Sequence, residues 1–352
     1  MALNLTTKYS PLIDERFKLA SLTEAYAGKK YDFDGVRSIK VYSIDTVNLN
    51  DYNRSATGNR FGTPTELGDT VQTMTMSQDK SFTFTIDKGN ASDQMNIKHC
   101  NARLKSNWDE VCAPNIDMYR FRKWANGAGC GAAGAELTSD NAIRAIATAG
   151  AVMSNHLVPK KNRTLFIRES SFVECKLAKE IVGIDTLGAK AVARGSVGML
   201  DGMNVVPVPD SYLPEGVHFM IKYKDATVDP MKLKTLRVHT NPPGIDGDLG
   251  ECRYYHDSFV LGNKAHGVYV YGETANKSAE VVASVSGSQL TLTSEGTVYY
   301  TDDGTNPKEA KAAGEAKTYS AAIAMTAGKT YKFYAEESGK MSSGIGVYKH
   351  EA

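Results

Sequence analysis

Gly129-Cys130-Gly131-Ala132-Ala133-Gly134 spells G-x-G-x-x-G, a pattern whose glycines let backbone N–H groups face the pyrophosphate of a dinucleotide. That chemistry needs a strand before the run, a helix opening on it and an acid about twenty residues on. Here the preceding MYRFRKWAN reads as helix and the region around Ser154 offers no carboxylate, so the run is expected to be a flexible loop between elements. Cys252, His256 and His266 superficially resemble a metal set. On a strand, however, Cys252 and His256 stand about 13 Å apart, too far for one tetrahedral ion with ligands about 2 Å away, so no metal and no other cofactor is expected. His99 and Cys100, adjacent on a helix, point about 100° apart and do not face one another as a thiolate–imidazole pair. Asp201, Asp246 and Asp302 lie beside or near glycines as turn residues, while Asp14-Glu15 and Glu336-Glu337 read as solvated charge. With no G-x-S-x-G elbow, P-loop or H-E-x-x-H, no catalytic constellation survives, and the chain is not expected to be an enzyme.

Composition narrows the classes further. The 352 residues suit about two or three compact units. Lys+Arg 41 against Asp+Glu 40 leaves a net charge of +1, which removes the broad attraction that general nucleic-acid or membrane-surface binders rely on. Hydrophobic content of 41% is that of a folded soluble chain. No apolar run reaches signal-peptide or membrane-span length, so cytosolic folding without a membrane partner is expected. The five cysteines are scattered with no C-x-x-C pair and read as reduced, mostly buried small hydrophobes.

The elements that would position any site follow from periodicity. Residues 1–40 carry mixed charge and turn formers, with one amphipathic piece around Leu12–Leu22, and read as an arm. Ile39–Val47 and the alternating run Val71–Ile86 predict two strands around a polar tip holding Gly58, Gly62, Pro64 and Gly68. Such a projecting hairpin is marginal alone in water, so it should lie against a neighbouring copy of the chain. Ser92-Asp93 predicts a helix start, followed by an apolar stripe through Ile97, Cys100, Leu104, Trp108 and Val111. Pro114 should interrupt that helix, which resumes over Asn115–Asn126. A second helix, capped by Thr138 or Ser139, carries Ile143, Ile146, Val152 and Met153. A strand at Thr164–Ile167 and a helix through Phe172, Leu177 and Ile181 follow. Strands are then expected at Val217–Tyr223, Leu233–His239, Arg253–Leu261 and Gly267–Tyr271. After Glu273, short strands near Val281–Val285, Gln289–Thr293, Thr297–Thr301 and Thr330–Ala335 predict a small separate β-sandwich.

Three stretches in this order carry a resemblance. They are Val111-Cys112-Ala113-Pro114-Asn115-Ile116-Asp117, Gly195-Ser196-Val197-Gly198-Met199-Leu200-Asp201-Gly202 before Val205–Pro209, and Pro243–Gly247 leading to Tyr255–Leu261. On these, the chain resembles the major capsid proteins of tailed bacteriophages, whose architecture is the Hong Kong 97-type (Johnson) fold, over most of residues 1–272. The tail, with Tyr299–Pro307 and Tyr331–Ala335, resembles immunoglobulin-like modules. The fold implied is α+β: an arm at 1–40, an extended loop at 41–90, a peripheral domain with its spine helix at 91–136 and 236–272, an axial domain at 137–235, and an immunoglobulin-like domain at 278–352 as an exterior decoration.

The resemblance implies a major capsid protein that assembles with itself, as hexamers and pentamers, into an icosahedral shell around phage double-stranded DNA. Arg54, Arg60, Phe61, Glu66, Met74, Met76, Phe82 and Phe84 of the extended loop would make the inter-subunit contacts, and Leu104, Trp108 and Pro114 would build the spine. The tip at 48–72 has no lysine, so a covalent cross-link through it is not expected. A separate scaffold protein and a portal are implied as partners, with packaged DNA touching the inner face non-specifically. Location would be the virion capsid, after assembly in the bacterial host cytoplasm. The rival is a secreted or surface adhesin, or carbohydrate-binding protein, with a terminal β-sandwich.

Overall fold

The protein is described by a computed structural model over residues 21–31, 33, 36–44, 49–64, 66–93, 99–178 and 198–350. Expectations for residues 1–20, for Gly195–Val197, for Ile97 and for the helical extension to Ile181 lie outside them. Strands β1 (Ser38–Ile44) and β2 (Asp69–Thr75) pair antiparallel, and β3 (Gln78–Asp87) follows after a break at Met76-Ser77. The expected continuous strand Val71–Ile86 is therefore two strands in different sheets. Its cause is Asp257, a buried carboxylate that accepts both the Ser77 N–H (2.7 Å) and the Ser77 hydroxyl (2.9 Å) and turns the chain out of one ladder into another.

Helix α1 (Lys88–Asp93) comes next, so Ser92-Asp93 lie within a helix that begins at Lys88 rather than starting one. Helix α2 (Cys100–Asn107), a π-helical turn (Trp108–Cys112) and α3 (Ala113–Gly127) then run on without interruption as a spine. Pro114 does not break it. Its missing N–H falls in the first turn of α3, just past the π-turn where the i→i−4 ladder is already displaced. Val111, expected on the apolar stripe, is 54% exposed, because the same wide turn rotates it away from the core.

Strand β4 (Cys130–Gly134) corrects the loop expected for the G-x-G-x-x-G run. Its glycines serve close packing. A Cβ on Gly129 would lie 2.4 Å from the backbone of Ala265, and one on Gly131 2.8 Å from the Val270 carbonyl oxygen. The chain continues through α4 (Ala142–Asn155), β5 (Arg163–Arg168), α5 (Glu169–Leu177), β6 (Met199–Leu200) and β7 (Met203–Val208). Asp201 and Gly202, at φ +48° and +73°, form the two-residue turn between β6 and β7, the role expected for Asp201. Strands β8 (Val217–Tyr223), β9 (Thr227–Val228), β10 (Met231–Thr240), β11 (Gly247–His256), β12 (Phe259–Val260) and β13 (Val268–Glu273) complete the body. The strand expected over Arg253–Leu261 is thus divided at Asp257-Ser258.

Six strands form the central sheet in the order β4-β13-β8-β5-β7-β6. Helix α3 covers one face through Phe121 and Trp124 against Phe166, Met220 and Val268, while α4 and α5 cover the other against Leu165, Ile167, Phe219 and Ile221. Both faces are buried, which is why β8 (VHFMIKY) is mostly apolar and does not alternate, with even His218 and Lys222 buried. A second sheet, β10-β11-β3, is covered on one face only, by the spine residues Leu104, Cys112 and Ile116 packed on Cys252 and Tyr254. Strand β3 of the expected extended loop thus belongs to this sheet, and β4 and β13 of the expected peripheral domain belong to the central one. Among the described residues no helix is long and apolar enough to cross a membrane.

The C-terminal unit is a two-sheet sandwich. Strands β14 (Val282–Ser286), β15 (Gln289–Thr293) and β18 (Ile323–Ala324) form one sheet, and β16 (Thr297–Thr301), β17 (Lys317–Thr318), β19 (Thr330–Glu336) and β20 (Gly346–Lys349) the other, around Leu290, Val298, Tyr331 and Phe333. An unexpected helix, α6 (Pro307–Ala313), lies between β16 and β17, capped by Asn306. Asp303, rather than Asp302, supports the turn after β16 by accepting the Thr305 N–H (2.9 Å). Asp302 instead pairs with Lys317 (2.8 Å) and Lys329 (3.4 Å).

Buried carboxylates tie the long connections to α3. Asp229 accepts from the Gly28 N–H (2.9 Å), the Trp124 indole N–H (2.9 Å), the Thr227 hydroxyl (2.8 Å) and the Ser258 hydroxyl (2.6 Å). Removing it strands four buried donors, each costing about 1–3 kcal/mol. Asp229→Ala should therefore lower unfolding free energy by more than about 3 kcal/mol, read as a shifted denaturation midpoint at unchanged m value.

Candidate functional site

Among the described residues the β1–β2 hairpin pairs with no third strand, so one of its faces must find cover elsewhere. Side-chain parity divides it. Ile39, Val41 and Met74 point inward onto Phe33, Val228 and Leu261, while Tyr42 and Val71, directly opposed across the ladder, point outward together with Ile44. Tyr42 is 65% and Ile44 67% exposed. Beyond the strands, Leu49, Tyr52, Phe61 and Leu67 are also exposed, Phe61 by 83%. Seven of the seventeen large exposed apolar side chains among the described residues thus lie within residues 42–71, which marks this finger as the principal uncovered apolar surface.

The tip has a defined shape of its own. Tyr52 and Phe61 meet edge to face at 5.0 Å, the Asn53 N–H donates to the Arg60 carbonyl (3.0 Å), and Arg60 Nε donates to the Ala56 carbonyl (2.8 Å). Arg54, Arg60 and Glu66 are exposed and form no ion pair among the described residues. Of the eight loop residues expected to contact another subunit, these three and Phe61 are presented outward. The other four are not. Met74 and Met76 are 1% and 0% exposed inside this chain's own core, and Phe82 and Phe84 lie on β3, packed into the cluster beneath the spine. Leu104 is buried there, and Trp108 meets Tyr254 edge-on at 5.5 Å under Lys234.

The base of the finger is clamped from three sides. Asp257 holds its elbow and accepts the Tyr119 hydroxyl of α3 (2.7 Å). Gln72 donates to the Val260 carbonyl (3.0 Å) and to Glu309 Oε1 of α6 (2.6 Å), and its own carbonyl accepts the Gly262 N–H (3.0 Å). Lys308, the neighbour of Glu309, donates to the carbonyls of Asn126 (3.2 Å) and Ala128 (2.8 Å) at the C-terminal end of α3, where carbonyls lack helical partners and attract cations. Ile345 enters the main core and its N–H donates to the Gly129 carbonyl (2.7 Å). The terminal sandwich, expected as a detached decoration, is therefore built into the body. Glu336, expected as solvated charge, is held by the Tyr334 hydroxyl (2.8 Å) and by Lys311.

Cys252, His256 and His266, which only superficially resemble a metal set in the sequence, lie apart from one another. Cys252 lies beside Cys112 and Tyr254 beneath the spine, and His256 stacks edge-on to Tyr119 at 5.3 Å. His266 lies elsewhere, against Cys130 and His156.

The fold has close parallels among solved structures. A chain of Mycobacterium phage Che8 superposes with a TM-score of 0.67 at 17% identity, covering 78% of this chain and 99% of that one. A chain from the capsid structure of the cyanophage P-SCSP1u gives 0.64 at 13% identity, covering 77% and 93%. One from the asymmetric unit of the bacteriophage PhiM1 mature capsid gives 0.63 at 10% identity, covering 77% and 92%. The fold is the Hong Kong 97-type capsid fold. No curated protein matches the chain by sequence, and the family model described as Fn3 associated matches residues 289–348, within the terminal sandwich.

Within this capsid fold, the residues missed by sequence reasoning are Gln72, Asp257, Lys308 and Glu309, which fasten the finger, and Tyr42, Ile44 and Val71, which form its outer face. For the latter a signal was present, since IKVYSI is apolar at both parities. Burial lifts the Glu309 carboxyl to about 7, against the opposing pull of Lys332 and of the Gln72 and Asn306 hydrogen bonds. The folded chain thus holds a proton that the unfolded one releases between the ordinary 4.5 and about 7, so this group's contribution to stability falls as pH rises through that window. Glu309→Gln should remove that slope, making the variant's stability at pH 8 relative to pH 5 higher than the wild-type ratio in denaturant titrations.

Proposed function

We propose that this chain is a major capsid protein whose activity is self-association, as hexamers and pentamers, into an icosahedral shell enclosing phage double-stranded DNA. The observation that carries the reading is the finger: clamped at its base, apolar on its outer face and, among the described residues, uncovered by its own chain. The capsid fold of the body supports it. A closed shell asks one subunit to meet neighbours at slightly different angles in five-fold and six-fold rings, and a projecting two-stranded finger bends more easily than a packed sheet. Obligate interfaces bury about 2,000–5,000 Å² in total, and at about 25 cal/mol per Å² of apolar area that outweighs exposed ion pairs of about 0–1 kcal/mol. Burial of Tyr42, Ile44, Val71 and Phe61 would set strength, and Arg54, Arg60 and Glu66 would set register.

In this reading residues 1–40 act as the arm, the finger from 41 to 75 as the extended loop, and the sheet β10-β11-β3 with the spine as the peripheral domain. The arm's excess of two positive charges allows weak, non-specific contact with phosphates on the inner face. A separate scaffold protein and a portal would be partners, and assembly would take place in the cytoplasm of a bacterial host. The adhesin reading is not favoured, because the body shares its fold with phage capsid chains.

Electron microscopy of the purified chain, with and without a scaffold, should show rings or shells. A double variant Ile44→Asp with Phe61→Asp should remain monomeric while its unfolding free energy changes by no more than a surface substitution does, about 0.5 kcal/mol. Shells formed at wild-type yield by that variant, or a wild-type chain that stays monomeric under every condition, would sink the reading.

A further inference from the structure

Three side chains that can ligate a metal meet where the sequence carries no metal-ligand motif. Cys130 opens β4, His156 caps the C-terminal end of α4, and His266 lies in the 3-10 turn Gly262–Gly267 before β13. Each offers one ligand atom, and these atoms all lie within 4.8 Å of one another. Cys130 Sγ is 3.4 Å from His266 Nδ1, and the two imidazoles stack at 4.1 Å with their planes 1° apart. On a tetrahedral ion with bonds of about 2.3 Å to sulfur and about 2.0–2.1 Å to nitrogen, two ligand atoms stand roughly 3.5 Å apart. The Cys130–His266 edge already has that length.

The donor set is chemically selective. One sulfur and two imidazole nitrogens suit Zn²⁺ and its borderline neighbours and disfavour Mg²⁺ and Ca²⁺, which take oxygen. Burial lowers the affinity of His156 for a proton and brings His266 to about 4, so both rings are neutral at pH 7 and keep a free lone pair. Burial also pushes the Cys130 thiol up to about 12, with Glu280 adding to the rise and Lys308 and Lys277 opposing it.

We propose that Cys130, His156 and His266 form a binding site for one thiophilic divalent cation of the Zn²⁺ class, joining the end of α4 to the β4–β13 edge of the central sheet. The S–H bond of Cys130 breaks, its proton leaves to solvent, and the sulfur electron pair forms the bond to the ion, so no oxidant or reductant is involved. Stacked parallel rings do not aim two in-plane lone pairs at one ion. His156, which is exposed, therefore turns out of the stack about its side-chain torsions, while the more buried Cys130 and His266 hold their places. Three protein donors leave one position for water. A cation here would act as a removable brace between two layers that a reduced chain does not cross-link by disulfide. The site is independent of the assembly reading, since it lies on the body and uses no residue of the finger.

The test uses the full chain, reduced and stripped with a chelator, and titrates it with Co²⁺ as the spectroscopic probe and Zn²⁺ as competitor. One Co²⁺ per chain with a thiolate-to-cobalt charge-transfer band, displaced by Zn²⁺, and a melting temperature that rises with Zn²⁺ are expected. Cys130→Ser should abolish the band. His156→Ala, at an exposed position where the metal-free chain still folds, should weaken Co²⁺ binding by at least about tenfold, the size of even an outer-shell loss. If Cys130→Ser does not fold, His156→Ala decides alone. No charge-transfer band in the wild type, or wild-type Co²⁺ affinity in His156→Ala, overturns the proposal.

Discussion

Helix α3 carries Asp117, Arg120 and Trp124 into the interior, and each needs a polar partner there because an unpaired buried charge or N–H costs several kcal/mol. The partners come from distant parts of the chain. Asp117 accepts from Ser21 (2.7 Å) and the Leu22 N–H (2.8 Å), Arg120 donates to Thr23 (2.9 Å) and Glu24 (3.0 Å), and the Trp124 indole donates to Asp229. Satisfying one helix thus pins Ser21–Glu24, the loop around Asp229 and, through Tyr119 and Asp257, the elbow of the finger. The rest of the architecture hangs on this obligation more than on any apolar cluster, because hydrogen bonds select position where burial alone selects only proximity.

The finger follows from that anchoring. Once Asp257 draws Ser77 out of line, β3 is committed to the outer sheet and β2 is left with a single partner strand. A two-stranded ribbon buries one face on the body and leaves the other exposed, and here the exposed face is apolar. In a monomer this is a liability; in the proposed self-association it would be the contact surface.

The terminal sandwich bears on the same geometry. Through Lys308 it occupies the C-terminal carbonyls of α3, and through Glu309 it holds Gln72 at the base of the finger. The angle at which the finger leaves the body therefore depends on a domain that is distant in sequence.

Much was legible in the sequence alone. The strands Val217–Tyr223, Gln289–Thr293 and Thr297–Thr301, the helix through Ile146 and Met153, and the Asp201-Gly202 turn declare themselves because local pattern and final environment agree. The capsid-like order of elements was legible for the same reason. Only the tertiary structure decided that Met74, Met76, Phe82 and Phe84 face this chain's own core, that the glycine run of 129–134 is a strand, and that Pro114 leaves the spine intact. It also decided that Cys130, His156 and His266 converge. Each of these depends on contacts between residues far apart in the chain, and periodicity, which records only which neighbours in sequence share a face, carries no information about which distant segment that face will meet.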